Sequence, residues 1–128
     1  MKEEFVKRQV SLLIADRNPR VGNFLRREMV IEGYHVRLVN NGQEVLQSIS
    51  YNDLPDMIIL DPDLPDTNGL NLIRDIHQIA PELPIVIHSY VLDLIYPVGL
   101  KHPVAFVEKQ GSSIDNLKQI VKDVINVV

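Results

Sequence analysis

An alternating α/β chain folded around one parallel sheet is the fold class that the sequence predicts. Three observations carry this expectation. Five short apolar runs recur along the chain, each of strand length. Segments with the 3.6-residue period of amphipathic helices separate them. All of this fits within 128 residues, the size of one domain with one core. Strands that alternate with helices pair in parallel, and the helices then cover both faces of the sheet.

The first strand is expected over Val10 to Ala15, an apolar run interrupted only by Ser11. Pro19 suits the first turn of the helix that follows, because its missing N–H is not needed there. Val21, Phe24, Leu25 and Met29 mark the apolar face of that helix, and Gly33 is its expected stop. The second strand, Tyr34 to Val39, alternates Val36 and Leu38 with His35 and Arg37. That pattern is expected of a half-exposed strand near an edge. Asn41-Gly42-Gln43-Glu44 has the form of a helix N-cap with Glu at the third helical position, and Val45, Leu46 and Ile49 supply the apolar stripe.

Met57 to Leu60 is the third strand, bounded by the turn-rich stretch Pro62 to Gly69, and Asp61 closes it. Leu72, Ile73, Ile76 and Ile79 set the phase of the next helix. Ile85-Val86-Ile87 is a fourth strand that runs into His88 and Ser89, and Val104 to Val107 is a fifth. Ser112-Ser113-Ile114-Asp115 opens a last helix, with Ile114, Leu117, Val121 and Val124 along one side. The connection between Ser89 and Val104 is irregular. Pro97, Gly99 and Pro103 leave room for two helical turns at most. Its apolar side chains fit either a locally buried helix or an exposed partner surface.

Composition narrows the function classes. The chain is 45% hydrophobic and 23% charged, with a formal net charge of −4, which argues against a nucleic-acid surface in this segment. It has no Cys, which removes disulfides, thiolate zinc sites and cysteine nucleophiles. The four His residues are scattered and make no metal-ligand spacing. The first residues lack the apolar stretch of a signal peptide, and no run reaches the roughly 18 residues of a membrane span. A cytoplasmic protein is expected, without membrane or nucleic-acid contact.

Four strand ends carry polar residues: Asp16, Asp61, Ser89 and Lys109. In a parallel sheet these ends share one edge, so two carboxylates, a hydroxyl and an ammonium are expected to converge where open α/β sheets place their chemistry. The surrounding residues resemble the receiver domain of bacterial response regulators, the phosphoacceptor half of two-component signalling. Leu12 to Pro19 is similar to the first strand and acidic cluster of that family. Asp56 to Gly69 is similar to its phosphorylation motif. Pro84 to Ser89 and Phe106 to Lys109 are similar to its fourth and fifth strands. The resemblance spans Val10 to Val124 and rests on four pieces in the family's order.

The resemblance implies a flavodoxin-like, three-layer (βα)5 doubly wound sheet of strand order 2-1-3-4-5, with a shortened or irregular fourth helix. It implies one receiver domain over residues 1–128, with 1–9 as an N-terminal extension. The last apolar helix runs to Val128, which is compatible with an output domain beyond it. Asp61 would be the phosphoacceptor nucleophile, fed by a histidine kinase or phosphotransfer protein. Asp16, Asp61 and the backbone carbonyl of Asp63 would hold Mg²⁺. Ser89 would donate a hydrogen bond to the phosphoryl group, Lys109 would supply positive charge, and Phe106 would be the switch aromatic. A homodimer through the face from strand four to the last helix follows from the same resemblance. No enzyme activity is expected beyond self-phosphorylation and dephosphorylation of Asp61.

Three departures qualify that pattern. The family has a second acid after Asp16, where this chain has Arg17, so Mg²⁺ is expected to bind weakly or not at all. The guanidinium is expected to turn inward and pair with Asp16 or Asp61 in place of the metal, the alternative being that it swings to solvent. Tyr90 replaces a small residue, and Gln110 stands where many members have Pro. Two functions therefore compete, a phosphorylatable receiver and a degenerate receiver that acts as an interaction module. A flavodoxin-like cofactor binder is a third. It would need a phosphate-cradling loop, which Asp16-Arg17-Asn18-Pro19 does not resemble.

Overall fold

The computed structural model describes residues 8–50, 52–90 and 105–126. Five strands, β1 (Ser11–Ala15), β2 (His35–Val39), β3 (Met57–Leu60), β4 (Ile85–Ser89) and β5 (Ala105–Glu108), form one parallel sheet. Their order is β2-β1-β3-β4-β5, as expected. The described residues also form four helices, α1 (Pro19–Ile31), α2 (Gly42–Gln47), α3 (Gly69–Ile79) and α4 (Ser113–Asn126). The irregular connection and its expected short helix lie outside the described residues apart from Tyr90, as does Val104.

The side-chain alternation of the central strands splits the core in two. Leu13, Ala15, Ile58, Leu60, Ile85 and Ile87 face the layer that contains α2 and α3. Leu12, Ile14, Met57, Ile59 and Val86 face the other layer, where Leu25 and Met29 of α1 meet Leu117 and Val121 of α4. The three central strands are thus apolar on both faces. Each large aliphatic side chain buried this way contributes roughly 1.5–3 kcal/mol. β2, at the edge, keeps the half-exposed pattern read from its alternation.

Helix ends follow local chemistry. Asn18 caps α1 by accepting from the Arg20 amide at 3.0 Å, with Pro19 in the first turn. Gly33 takes a φ of +96° just beyond α1, a conformation open to Gly at no steric cost. Asn41 caps α2, its side chain accepting from the Glu44 amide at 2.8 Å. Two expected core positions are instead largely exposed, Phe24 and Ile79. Phe24 neighbours Leu25, and successive helical residues lie about 100° apart, so Leu25 takes the inward direction. Ile79 is the last residue of α3, past the final turn that meets the sheet.

Candidate functional site

The site is built from residues that directly follow or end strands. Asp16 follows β1, Asp61 follows β3, Lys109 follows β5, and Ser89 is the last residue of β4. Backbone pairing extends to each of them: Asp16 N–H donates to Val39 at 3.1 Å, Asp61 N–H to Ala15 at 2.8 Å and Lys109 N–H to Ser89 at 2.8 Å. The sheet ladder therefore fixes where these side chains begin. Asp16 and Asp61 are each 2% exposed and Lys109 is 8% exposed.

Lys109 joins the two carboxylates. Its Nζ lies 3.0 Å from Asp16 Oδ2 and 3.2 Å from Asp61 Oδ2. The remaining carboxylate oxygens are held by backbone. Asn18 N–H donates to Asp16 Oδ1 at 2.9 Å, and Asp63 N–H donates to Asp61 Oδ1 at 2.9 Å. Arg17 N–H also reaches Asp61 Oδ2, at 3.4 Å. Burial raises the Asp16 carboxyl above the usual carboxylate range, an effect only partly offset by the Asn18 amide and the Lys109 ammonium. The Tyr90 ring lies beside this ammonium, its centroid 5.1 Å from Nζ, within cation–π range.

Arg17 does not take the place expected of it. Its guanidinium meets neither Asp16 nor Asp61. It stands 3.9 Å from Asp63 Oδ2, with 56% of the side chain exposed. Lys109 is the cation between the buried carboxylates. The reason is geometric: Lys109 leaves the end of β5 beside the pocket, and its single ammonium fits a dry space between two carboxylates. The guanidinium is left at the rim beside Asp63, carried there by the direction in which the loop after β1 leaves the sheet.

Two features around the pocket were not legible in the sequence. Asp66, in the loop after Asp61, accepts from the Gly42 and Gln43 amides of α2 at 2.7 and 3.0 Å. These bonds hold its carboxyl below the usual range and tie the Asp61 loop to α2. No spacing rule links residues 24 apart. The second is the buried pair of His88 Nε2 and Ser113 Oγ, 3.2 Å apart, between β4 and the start of α4. Burial first, then the Lys109 charge, push the His88 imidazole down to about 4. Its Nδ1 has no hydrogen-bond partner among the described residues. By contrast, the Asn68 cap of α3 could have been found from its place before Gly69. A Cβ on Gly69 would lie 2.7 Å from Pro62 Cβ and 2.9 Å from Pro62 O, so glycine lets α3 begin tightly against the loop after Asp61.

The response regulator receiver domain model matches residues 12–122. The chain belongs to that family. Its sequence is 35% identical to the response regulator MprA of Mycolicibacterium vanbaalenii over 78 residues, 61% of this chain and 33% of the relative. MprA of Mycobacterium ulcerans matches to the same extent. The match spans about a third of the length of these curated relatives. Among solved structures, a putative response regulator from Chloroflexus aurantiacus is 28% identical with a TM-score of 0.77, covering 93% of this chain and 99% of that one. The complex of the histidine kinase ThkA with the response regulator TrrA gives 25% identity and a TM-score of 0.79, covering 91% and 98%. A CheY-like receiver from Methanospirillum hungatei shares the fold at 20% identity, with a TM-score of 0.81 over 93% and 96%.

Within this receiver, the other expected site residues divide. Ser89 is buried at the same sheet edge as Asp61. Phe106 pairs in register with Ile87, so it lies on the sheet face of α2 and α3, and it is 42% exposed. Receiver domains typically bind Mg²⁺ at the acidic pocket. The residues of this pocket do not fit a tightly held dication. All four oxygens of Asp16 and Asp61 already accept from a donor, and a resident ammonium stands between them. No group of three acidic or His side chains able to hold a metal occurs among the described residues.

Proposed function

We propose that this receiver accepts a phosphoryl group on Asp61 from a histidine kinase or a histidine phosphotransfer protein. The observation that carries the reading is the buried Asp61 carboxylate at the end of β3, with the Lys109 ammonium at 3.2 Å and the Asp63 N–H at 2.9 Å. A carboxylate oxygen of Asp61 attacks phosphorus. The P–N bond to the donor imidazole breaks, its electron pair leaves on nitrogen, and an acyl phosphate remains on Asp61. Lys109 and the loop amides stabilise charge that develops on the transferring oxygens. Ser89 donates its hydroxyl to the phosphoryl group, and Phe106 repacks in response. The exposed face around Phe106 then serves as a homodimer contact. Asp16, Asp61 and the Asp63 carbonyl would hold Mg²⁺ weakly at most, because Arg17 stands where the family has an acid and Lys109 already occupies the two carboxylates.

The kinase complex of the TrrA relative supports a histidine-kinase partner. No helix among the described residues is long and apolar enough to cross a membrane. A histidine-kinase phosphodonor is the reason we place this receiver in the cytoplasm. The test is incubation with phosphoramidate, with and without Mg²⁺, followed by intact mass. One added phosphoryl group that is absent from Asp61→Asn supports the reading. An unmodified wild type under both conditions would instead support the second reading, a receiver that works as a phosphorylation-independent interaction module. The Lys109 ammonium already seated between the two carboxylates is the observation that favours that alternative.

A further inference from the structure

We infer that Arg17 is a phosphoryl-binding residue that supplies the positive charge a metal ion would otherwise bring, making modification of Asp61 independent of Mg²⁺. The inference rests on Asp61 being the phosphoacceptor. The buried pocket contains two carboxylates and one ammonium, so Lys109 is already shared between Asp16 and Asp61. A phosphoryl group on Asp61 replaces one negative charge with roughly −1.5 to −2, by analogy with other phosphorylated side chains, and adds three strong acceptor oxygens. The pocket then needs a further cation, and with Arg17 in place of the family's second acid no group of three acidic or His side chains among the described residues stands ready for a dication.

Arg17 is placed to provide that charge. Its own N–H lies 3.4 Å from Asp61 Oδ2, so the side chain begins at the lip of the site. Its guanidinium reaches Asp63, whose N–H holds the other oxygen of Asp61 at 2.9 Å. The side chain therefore runs between two residues that both grip the phosphoacceptor through their backbones. Its only described ion pair is the 3.9 Å contact to Asp63, with both side chains more than half exposed. Exposed pairs of this kind hold weakly, so the guanidinium leaves Asp63 at little cost. A phosphoryl group offers the planar fork a bidentate partner that a single carboxylate oxygen at 3.9 Å does not. The outward Arg17 thus starts beside Asp61 and is held away from it only by an exposed ion pair to the neighbouring loop.

The test is modification by phosphoramidate in excess EDTA and in Mg²⁺, followed by intact mass. In this reaction an Asp61 oxygen displaces ammonia from phosphorus, and the broken P–N bond leaves its electron pair on nitrogen. Wild type should react in EDTA within about threefold of its rate in Mg²⁺. Arg17→Ala should slow the EDTA reaction roughly ten- to hundredfold, the range of a lost charge-assisted hydrogen bond. Arg17→Lys should recover part of that loss, and Arg17→Asp should react only with Mg²⁺. Mg²⁺ titrations followed by the backbone amide signals of Asp61 and Asp63 give a second readout: Arg17→Asp saturates and wild type does not. Thermal unfolding of each variant checks that the fold is intact, as the exposed position leads one to expect. Wild type reacting only with Mg²⁺, or Arg17→Ala reacting as fast as wild type in EDTA, overturns the inference and leaves Asp61 as the phosphoacceptor. Wild type that reacts under neither condition overturns both.

Discussion

Replacing Lys109 with Met would leave two buried carboxylates side by side with similar side-chain volume and no cation. The present geometry sets the magnitude. At 3.0 and 3.2 Å, each carboxylate attracts the ammonium by roughly 5 kcal/mol at an effective dielectric of about 20. Most of that is offset by the cost of dehydrating three ions, but removing one partner leaves that cost in place without the attraction. Broken buried ion pairs typically lose about 3–5 kcal/mol, a large share of the roughly 5–15 kcal/mol that stabilises a domain. Urea unfolding followed by far-UV circular dichroism suits a chain without Trp, and the midpoint should fall by roughly 1–3 M. The loss should depend on pH. Burial and the Asp61 charge already raise the Asp16 carboxyl, and removing Lys109 adds to the rise. A carboxyl raised in the folded state binds more protons there than in the unfolded chain, so the variant gains stability as pH falls through that range. In metal-free buffer the deficit should be smaller near about pH 4.5 than near about pH 7.5. Adding Asp16→Asn should restore much of the loss, because the two sites touch. Equal losses at both pH values, or an unchanged midpoint, would refute the account of Lys109 as the cation that makes the acid pair tolerable.

Asp16→Asn alone should raise the thermal midpoint at neutral pH, since it removes a charge whose burial is only partly compensated. The gain should shrink as pH falls and the wild-type carboxyl takes up its proton. His88 supplies a slope of the opposite sign. Its imidazole stays neutral down to about 4 in the fold but charges near its ordinary value when unfolded, so stability falls as pH drops from about 6.5 to about 4. That slope, at most about 1.4 kcal/mol per pH unit, should be missing from His88→Gln in matched urea titrations.

Much of this architecture was legible in the chain because it depends on short-range patterns. The apolar run Met57–Leu60 and its turn-rich flank place Asp61 at a strand end, and the same reasoning places Asp16, Ser89 and Lys109. Parallel pairing then brings these ends to one edge whatever the side chains do, since the ladder is set by backbone. The expected helix faces failed at Phe24 and Ile79, where a helix can turn only part of its circumference toward a flat sheet. Asp66 on α2 and His88 on Ser113 join distant segments and left no trace in local spacing.

Sequence alone therefore determined the order of elements and the sheet edge at which Asp16, Asp61, Ser89 and Lys109 gather. It also exposed Arg17 as the residue out of pattern. Which cation occupies the pocket was decided only by the tertiary structure. Both Arg17 and Lys109 are close enough along the sheet edge to reach Asp61, and composition cannot choose between them. The choice depends on the direction in which each side chain leaves its strand or loop. The ends of β1, β3 and β5 direct the compact Lys109 ammonium inward and leave the guanidinium of Arg17 at the rim beside Asp63.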